Sequence, residues 1–530
     1  MPVDDLRQQL RDRGYLTHGI ERWFSLDPWS SRAFWLELLT VCAKAAVLIG
    51  AFGLLPFVAI MIFRNRPLSA WETLALAVDY GGTLFLCGLA LLIIIALVLK
   101  LRPALVVDTP RALLAISFAA SAAFTALLAI WWYRFDTPPS LPELLTGLAL
   151  TVTWFIVMTI AVSASLLSFS IYELRRVPAI HQRSRTAPMT MAAAILTALL
   201  FLPAYAAQEK RPAEVPVQVI TTPTSRRVAL VAVDGLTFEI LHARADLTNL
   251  FAITEPLAPL RGGSTAERWA SIGTGVPPRI HGVHAVEGIR IRGGRHLLQN
   301  VSTFDFILRN TARREPLPPT VRRREYVWEI FARRSIVSLA VNWWTTDDVR
   351  TGALDEIGQA SIFTAASGDA VAVDAGAAKR LLTAIGREKP QFATVYLPAL
   401  DVLLNRQALD PTARLTASVR ALDALHSTLG ALRQSGYDII LIGLPGDRQS
   451  GIPLLASTAP LPPRHASPYD VAPTLCAFLG FPASTEMIGT SLVAEPQPRI
   501  ATYGARLGRS ENVKVNEEYY QNLKSLGYIR

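Results

Sequence analysis

Cysteine is nearly absent from this chain, and its scarcity limits how the protein can be stabilised. Only three cysteines occur in 530 residues, and two of them, Cys42 and Cys87, lie in or beside long apolar stretches. Cys476 is alone in the C-terminal part, so no disulfide can form within that part, and its stability must come from a packed core. The chain also lacks zinc-finger spacings and aromatic–glycine RNA motifs, which argues against nucleic acid as a partner.

Apolar residues, by contrast, make up 51% of the chain and are concentrated in its first 207 residues. A helix needs roughly 20 apolar residues to cross a bilayer. Five segments reach that length, and we therefore predict an α-helical bundle of five transmembrane spans. The predicted spans are Ala45–Phe63, Tyr80–Leu99, Ala112–Tyr133, Leu144–Tyr172 and Ala187–Ala207.

The distribution of basic residues predicts the orientation of this bundle. Lysine and arginine are concentrated in the segments that share a side with the N-terminus, which predicts a cytoplasmic N-terminus and an extracytoplasmic C-terminal part. We expect the bacterial inner membrane, with the C-terminal domain in the periplasm. The fifth span has a second interpretation, because Ala204-Tyr205-Ala206 resembles the cleavage site of a signal peptide. The net charge of +10 fits either a basic surface beside anionic membrane lipid or a generally solvated one.

The C-terminal part alternates β-rich apolar runs with helical patterns, which predicts an α/β domain with a mostly parallel central sheet. We expect strands at Val228–Val233, Ile336–Val341, Phe392–Leu397 and Asp438–Ile442. Helices are expected at Tyr326–Arg334, Ala372–Ile385, Leu415–Gln434, Tyr469–Leu479 and Glu517–Leu526. The predicted divisions are a cytoplasmic segment at 1–34, the bundle at 35–207, a linker at 208–227, the α/β domain at 228–493 and a polar tail at 494–530.

Two features at the start of the α/β domain carry the chemical signal. Asp234 ends the first apolar run, and the segment Thr265–Gly275 follows, before His281-Gly282. A buried strand that ends in a carboxylate, with a threonine soon after at the start of a helix, is typical of a metal-activated nucleophile in an α/β sheet.

These residues resemble the alkaline phosphatase superfamily, in its type I phosphodiesterase/nucleotide pyrophosphatase branch, over about residues 226–530. The matching motifs are Val-Ala-Val-Asp234-Gly235, Thr265-Ala-Glu-Arg-Trp269-Ala-Ser271-Ile-Gly-Thr274-Gly275, Pro278 with His281-Gly-Val283, Trp328-Glu-Ile-Phe-Ala, Val341-Asn-Trp-Trp-Thr345, Ala466-Ser-Pro-Tyr-Asp470-Val-Ala-Pro-Thr474 and Leu523-Lys-Ser-Leu-Gly-Tyr-Ile529. The resemblance implies two zinc ions that clamp a transferring phosphoryl group. It implies Thr265 as the nucleophile, with Ser264 as the alternative if the register slips by one. It also implies Asp234 as a ligand of the metal that activates the nucleophile, and Asp401 as a ligand of the other metal.

The pattern then fails where the family supplies its remaining ligands. The family has His four residues after the second Asp, and this chain has Asn405. The family's next strand ends in Ser-Asp-His-Gly, and this chain has Gly443-Leu444-Pro445-Gly446. Because leucine and proline cannot bind zinc, we expect no two-zinc site, although one Mg²⁺, Ca²⁺ or Zn²⁺ stays possible. Arg268 and Arg448 are candidates to replace the lost positive charge or to bind phosphate, and solvent exposure is the alternative for both.

Three further side-chain assignments have a structural alternative. We expect His281 to be a structural loop residue rather than a ligand. Trp343 and Trp344 are expected in the core. Asp79 could face either the interior of the bundle or the membrane interface.

Two functions from different classes follow from the sequence. The first is a membrane-anchored pseudoenzyme with an eroded two-metal site, which binds a phosphorylated envelope ligand or a partner protein. The second is an active phosphodiesterase, or a transferase of phospho-head-groups, that uses Thr265 with a single or non-zinc metal. Five spans before such a domain are similar in layout to the lipid A phosphoethanolamine transferases and the lipoteichoic acid synthases, and layout alone is analogy.

Overall fold

The computed structural model describes residues 68–101, 219–506 and 517–529, together with scattered positions before residue 160. Short gaps lie at 261–262, 300–307, 309–310, 367, 447–450 and 463–464. The predicted cytoplasmic segment, and most of the first, third, fourth and fifth spans, lie outside the described residues. Those elements therefore stay predictions.

The chain divides into two compact units. The first contains Met1–Arg211 and Ile289–Arg313, and the second contains Pro212–Gly288 and Arg314–Arg530. The main element of the first unit is helix α1, Ala70–Leu101, which contains the predicted second span. Among the described residues, α1 is the one helix long and apolar enough to cross a membrane.

Small residues let α1 approach the helical residues near position 46 closely. A Cβ on Gly50 would lie 2.9 Å from the carbonyl oxygen of Gly81, and a Cβ on Gly88 would lie 3.2 Å from Ile49. Leu92 packs with Cys42 in the same buried cluster. Glycine at such positions is typical of helix packing in membranes, where close van der Waals contact rather than water exclusion drives association.

The second unit is built on an eight-stranded sheet in the order β2-β11-β10-β1-β9-β6-β8-β7. Strands β1, β6, β8, β9 and β10 run parallel, whereas β11, β2 and β7 join the edges through antiparallel pairs. The strands are β1 Val228–Asp234, β2 Ile253–Pro256, β6 Ser338–Val341, β7 Val349–Thr351, β8 Leu354–Ile357, β9 Phe392–Leu397, β10 Asp438–Leu444 and β11 Leu454–Ser457. A separate three-stranded sheet is formed by β3 Glu287–Ile291, β4 Leu297–Leu298 and β5 Ala312–Pro316.

Helices connect and cover these strands. In chain order they are α2 Phe238–His242, α3 Ala245–Thr248, α4 Thr265–Thr274, α5 Pro278–His281, α6 Val327–Arg333, α7 Gln359–Ala365, α8 Ala370–Glu388, α9 Ala399–Asp401, α10 Pro411–Gln434, α11 Val471–Phe478 and α12 Glu517–Ser525. The predicted α/β domain with a mostly parallel sheet is confirmed. The predicted strands correspond to β1, β6, β9 and β10, and the predicted helices to α6, α8, α10, α11 and α12.

The central strands are buried on both faces, so they need near-continuous apolar sequence. All seven residues of β1 are buried, including its terminal carboxylate. Each fully buried valine, leucine or isoleucine side chain contributes roughly 1.5–3 kcal/mol to folding. Trp343 and Trp344 are 0% and 3% exposed, which confirms their prediction as core residues. Trp343 also donates a hydrogen bond from Nε1 to the Thr394 hydroxyl at 2.9 Å, so its polar atom is satisfied in the core.

Candidate functional site

The carboxyl edge of the parallel sheet brings the two predicted carboxylates together. Asp234 is the last residue of β1 and is opposite Leu444, the last residue of the neighbouring β10. Asp401 ends α9, which starts directly after β9 on the other side of β1. Gly235 has φ +86°, and a Cβ there would lie 2.3 Å from the amide nitrogen of Asp401. The two strand ends therefore approach so closely that only glycine fits between the carboxylates.

Thr265 is the first residue of α4, and its side chain is fully buried. The helix starts there because Ser264 has extended backbone and its hydroxyl accepts the Glu267 amide at 3.2 Å, which is the role of an N-cap. Ser264, the alternative nucleophile, thus has its hydroxyl committed to the cap. The hydroxyl of Thr265, by contrast, is linked to Asp401 through an arginine that bonds to both.

That arginine is Arg406, which the sequence analysis missed. Helix α9 continues as a π-helix over Val402–Arg406, and the amide of Gln407 donates to the carbonyl of Val402, five residues back, at 2.9 Å. A π-helix turn is wider than an α-helix turn, so the fourth and fifth residues after Asp401 both come back to its side. Asn405 donates from Nδ2 to Oδ1 of Asp401 at 2.9 Å, and Arg406 donates from Nε to Oδ2 at 2.5 Å.

Arg406 links the second carboxylate to the candidate nucleophile. Besides the bond to Asp401, its Nη2 donates to Oγ1 of Thr265 at 2.9 Å. The arginine side chain is 9% exposed and Asp401 is 0% exposed, so the ion pair is almost fully desolvated. The guanidinium thus supplies positive charge between Asp401 and the threonine hydroxyl, where the resemblance implied a metal ion.

The C-terminal segment, here Gly527 and Tyr528, covers the other side of this guanidinium. The Cζ atom of Arg406 lies 4.1 Å from the ring centroid of Tyr528, and Nη1 donates to the carbonyl of Gly527 at 3.4 Å. Tyr528 is 9% exposed and packs edge-to-face on Trp344 at 5.3 Å between centroids. Burial raises the pKa of Tyr528 well above its ordinary value, although the nearby arginine opposes the shift. The phenol is therefore neutral and covers the arginine as an apolar, polarizable surface.

Asp234 has a different partner. Its Oδ2 accepts a hydrogen bond from the hydroxyl of Tyr396 at 3.1 Å. Burial, reinforced by the charge of Asp234, raises the pKa of Tyr396 well above its ordinary value, so this phenol stays protonated and keeps donating. A phenol thus stabilises Asp234, and a guanidinium stabilises Asp401.

The side chains in this arrangement do not provide the ligands that a pair of metal ions needs. One oxygen of Asp401 accepts the Asn405 amide and the other accepts the Arg406 guanidinium. On the β10 side, a Cβ on Gly446 would lie 1.7 Å from Oδ1 of Asp401, so the carboxylate itself occupies the space that a side chain at position 446 would need. Within the described parts of the chain, no group of three or more His, Cys, Asp or Glu side chains comes together. Zinc at a catalytic site usually takes three protein ligands with nitrogen or sulfur among them.

The other predicted site residues lie as follows. Arg268 is half-buried and donates from Nη1 to the carbonyl of Pro445 at 3.3 Å. Arg448 lies outside the described residues. His281 is buried, accepts the Val283 amide at Nδ1 and lies 3.0 Å from the Ser271 hydroxyl at Nε2, so Nε2 carries its proton. Burial, with nearby positive charges, lowers the pKa of His281 well below 6.5, and the residue ends α5 rather than lying in a loop.

The family comparison agrees with the fold and the motif order. Residues 228–443 match the model of the family described as type I phosphodiesterase / nucleotide pyrophosphatase. This part of the chain is therefore similar to the type I phosphodiesterase / nucleotide pyrophosphatase family, the branch that the motifs predicted. No curated protein sequence matches the chain.

Solved structures give weaker likenesses. Phosphonoacetate hydrolase from Sinorhizobium meliloti 1021 is 16% identical, with a TM-score of 0.29, and the match covers 43% of this chain and 60% of that one. Human ectonucleotide pyrophosphatase / phosphodiesterase 5 is 15% identical, with a TM-score of 0.28, over 41% of this chain and 56% of that one. Lipooligosaccharide phosphoethanolamine transferase A from Neisseria meningitidis is 10% identical, with a TM-score of 0.28, over 85% of this chain and 96% of that one. The chain thus spans less than two thirds of the first two proteins.

Proposed function

We propose that this protein is a membrane-anchored pseudoenzyme whose α/β domain binds a phosphorylated envelope ligand or a partner protein. One observation carries the proposal: the guanidinium of Arg406 bonds to both Asp401 and Thr265, at 2.5 Å and 2.9 Å. A fixed side-chain cation neutralises the buried carboxylate, as a metal would, but it has no open coordination position.

The same contact weakens Thr265 as a nucleophile. Its hydroxyl oxygen accepts a hydrogen bond from a guanidinium, which withdraws electron density from the oxygen that would attack phosphorus. A metal-bound alkoxide is a stronger nucleophile because the metal lowers the pKa of the hydroxyl. Arg406 cannot act as a base, since a guanidinium does not lose its proton in proteins.

The arginine nevertheless suits an anion. Guanidinium groups bind phosphate through paired hydrogen bonds. In Arg406, Nη2 donates to Thr265 and Nη1 donates to Gly527 in the C-terminal segment. A phosphate would replace the Gly527 carbonyl, which is the longest of the contacts, as the acceptor of Nη1. Ligand binding is therefore coupled to the position of the C-terminal segment.

Membrane anchoring rests on α1. Its exposed side chains are mostly large and apolar, among them Leu86, Leu91 and Ile94, which are 55–62% exposed. Such a surface is unfavourable in water but matches lipid tails. We place the α/β domain on the periplasmic side of the bacterial inner membrane, in keeping with the positive-inside rule.

The test uses the full chain, purified in detergent. Elemental analysis should find no stoichiometric zinc, and hydrolysis of a chromogenic phosphodiester should be the same for wild type and Thr265→Ala. Thr416→Ala is the matched control, because Thr416 is an exposed helix residue whose hydroxyl bonds within its own helix. Stoichiometric metal together with turnover that Thr265→Ala abolishes and Thr416→Ala preserves would overturn the pseudoenzyme proposal.

The alternative function is an active phosphodiesterase or phospho-head-group transferase that uses Thr265 with a single or non-zinc metal. The position of Thr265, buried at the start of α4 and one arginine away from Asp401, favours it. The assay above, repeated with Mg²⁺, Ca²⁺ and Zn²⁺, decides between the two functions, since only the alternative predicts turnover that depends on Thr265.

A further inference from the structure

A segment of the chain that is far from α1 in sequence is bonded to the first turns of that helix. It consists of residues 289–299, 308 and 311–313, referred to below as the inserted segment, which belong to the same compact unit as α1. Trp71 donates from Nε1 to the carbonyl of Arg292 at 3.0 Å. The fully buried Glu72 carboxylate accepts both the amide and the Nδ1 proton of His296, each at 2.7 Å. Further along the helix, Asp79 accepts the Thr311 hydroxyl.

The attachment needs a very close approach. A Cβ on Gly294 would lie 2.6 Å from Oε1 of Glu72, so a larger residue could not occupy this position unless the Glu72 side chain or the inserted segment moved. Glu72 also accepts the amide and hydroxyl of Ser69, at 2.7 Å and 2.9 Å. The inserted segment is thus held along the helix from Trp71 to Asp79.

The attached turns directly precede the apolar span. From Tyr80 to Leu99 the helix has 20 residues without a charge, or about 30 Å at 1.5 Å per residue, which is the thickness of the hydrocarbon layer. Asp79, just before Tyr80, therefore lies at the start of the lipid headgroup layer, and Trp71 lies about 12 Å further along the helix axis, towards the outer side of that layer. Trp71, Leu74 and Val78 are 54–62% exposed, and tryptophan is the residue typical of that interface.

The inserted segment is strongly basic. It contains four arginines and no aspartate or glutamate. Three of the arginines, Arg292, Arg295 and Arg313, are exposed. Arg290 instead donates to the carbonyl of Arg295 at 2.6 Å and thereby stabilises the turn that presents its neighbours. Guanidinium groups held beside a headgroup layer have the charge and geometry to bind lipid phosphates.

We propose that the inserted segment is a binding surface for the headgroups of anionic phospholipids. The inference rests on the membrane anchoring proposed above and is independent of whether the α/β domain is an enzyme. The predicted topology agrees, because the second span starts on the outer side and the inserted segment follows all five spans. The bonds to Glu72 and Asp79 hold the arginines beside the end of α1 that enters the headgroup layer.

The test measures lipid binding to the full chain in detergent by native mass spectrometry, with phosphatidylglycerol as the probe. The variant Arg292→Gln/Arg295→Gln should bind the lipid about 25-fold more weakly, or about fivefold for each arginine. Arg380→Gln/Arg420→Gln is the matched control, since it removes the same charge from two exposed helix positions. Equal affinity of the wild type and Arg292→Gln/Arg295→Gln would overturn the proposal.

Two further arms separate the alternatives. Zwitterionic phosphatidylcholine should bind more weakly than phosphatidylglycerol to the wild type, and excess inorganic phosphate should not displace the lipid. Equal binding of the two lipids, or displacement by phosphate, would contradict an anionic headgroup as the ligand. If the full chain stayed in solution without detergent, that result would contradict the membrane anchoring instead. Failure of the anchoring is therefore distinguishable from failure of the lipid-binding proposal.

A variant that keeps every arginine tests the role of the attachment. Gly294→Ala should weaken phosphatidylglycerol binding because the new Cβ pushes the inserted segment away from Glu72. Gly386→Ala is the control, since a Cβ at that helix position meets nothing within 4 Å. Unchanged binding in Gly294→Ala would show that the attachment does not position the arginines.

Discussion

Replacing Arg406 tests most directly whether a side-chain cation has taken the place of a metal. In Arg406→Met the side chain keeps its length but loses its charge and all its donors. Asp401, which is 0% exposed, would then keep, among the side chains that the structure describes, the 2.9 Å bond from Asn405. Breaking a buried ion pair by removing one partner costs about 3–5 kcal/mol, because the remaining charge is buried without compensation. We therefore expect the variant to be destabilised by that amount.

A double-mutant cycle separates the loss of charge pairing from the loss of packing. Asp401→Asn/Arg406→Met removes both charges, and replacement of a whole buried pair by neutral groups is often nearly neutral in energy. The double variant should therefore be more stable than Arg406→Met alone. The coupling free energy between the two positions should exceed about 2 kcal/mol, within the range found for contacting pairs.

Thermal unfolding of the full chain in detergent, followed by circular dichroism, provides the measurement. A loss of 3–5 kcal/mol lowers the Tm by about 6–10 °C, at roughly 2 °C per kcal/mol for a domain of this size. Added Zn²⁺ should not raise the wild-type Tm through Asp401. The reasoning would be refuted if Arg406→Met unfolded at the wild-type temperature, or if Zn²⁺ stabilised the wild type but not Asp401→Asn.

Three further predictions concern other residues. Tyr528→Ala uncovers the guanidinium of Arg406, so it should cost about 3 kcal/mol of stability. It should also strengthen the binding of inorganic phosphate, measured by titration calorimetry. Tyr528→Phe should change neither the stability nor the affinity for phosphate. Gly446→Ala should lower the Tm because its Cβ would lie 1.7 Å from a carboxylate oxygen, whereas Gly430→Ala, with nothing within 4 Å, should not. Burial raises the pKa of Glu325 from 4.5 to about 7. The stability that Glu325 contributes is therefore complete below pH 4.5 and is lost as the pH rises through 7, and the loss is about 3 kcal/mol. Melting curves of Glu325→Gln from pH 4.5 to 7.5 should lack this decline relative to wild type.

The sequence predicted the centre of the sheet well and its edges poorly. The long apolar runs at β1 and β9 can only be buried strands, and both are found where the sequence places them. The edge strand β2, with the sequence Ile-Thr-Glu-Pro, is short and half-exposed, so hydrophobicity does not distinguish it from a loop. Its pairing with β11 depends on the fold that surrounds it rather than on its own residues.

The C-terminal segment shows a second limit. Its helix was predicted from sequence and is present as α12. That Tyr528 lies over Arg406 could not be read from the chain, because the two residues are 122 positions apart and neither has a local signal for the contact. The apolar residues Leu523, Leu526 and Ile529 are each at most 3% exposed, so this polar-looking tail is bound by a few buried side chains.

The turn that follows Asp401 explains why the position of Arg406 could not be predicted from the sequence. Residues four apart share a face of an α-helix, so regular helix geometry predicts that Asn405 faces Asp401 and that Arg406 does not. Positive charge is then expected from Arg268 or Arg448 instead. The π-helix turn changes that rule locally, since its bonds join residues five apart and bring Arg406 to the same carboxylate. A widened turn costs a regular hydrogen bond but lets one carboxylate take two donors, and a guanidinium then satisfies the buried charge without histidine or metal.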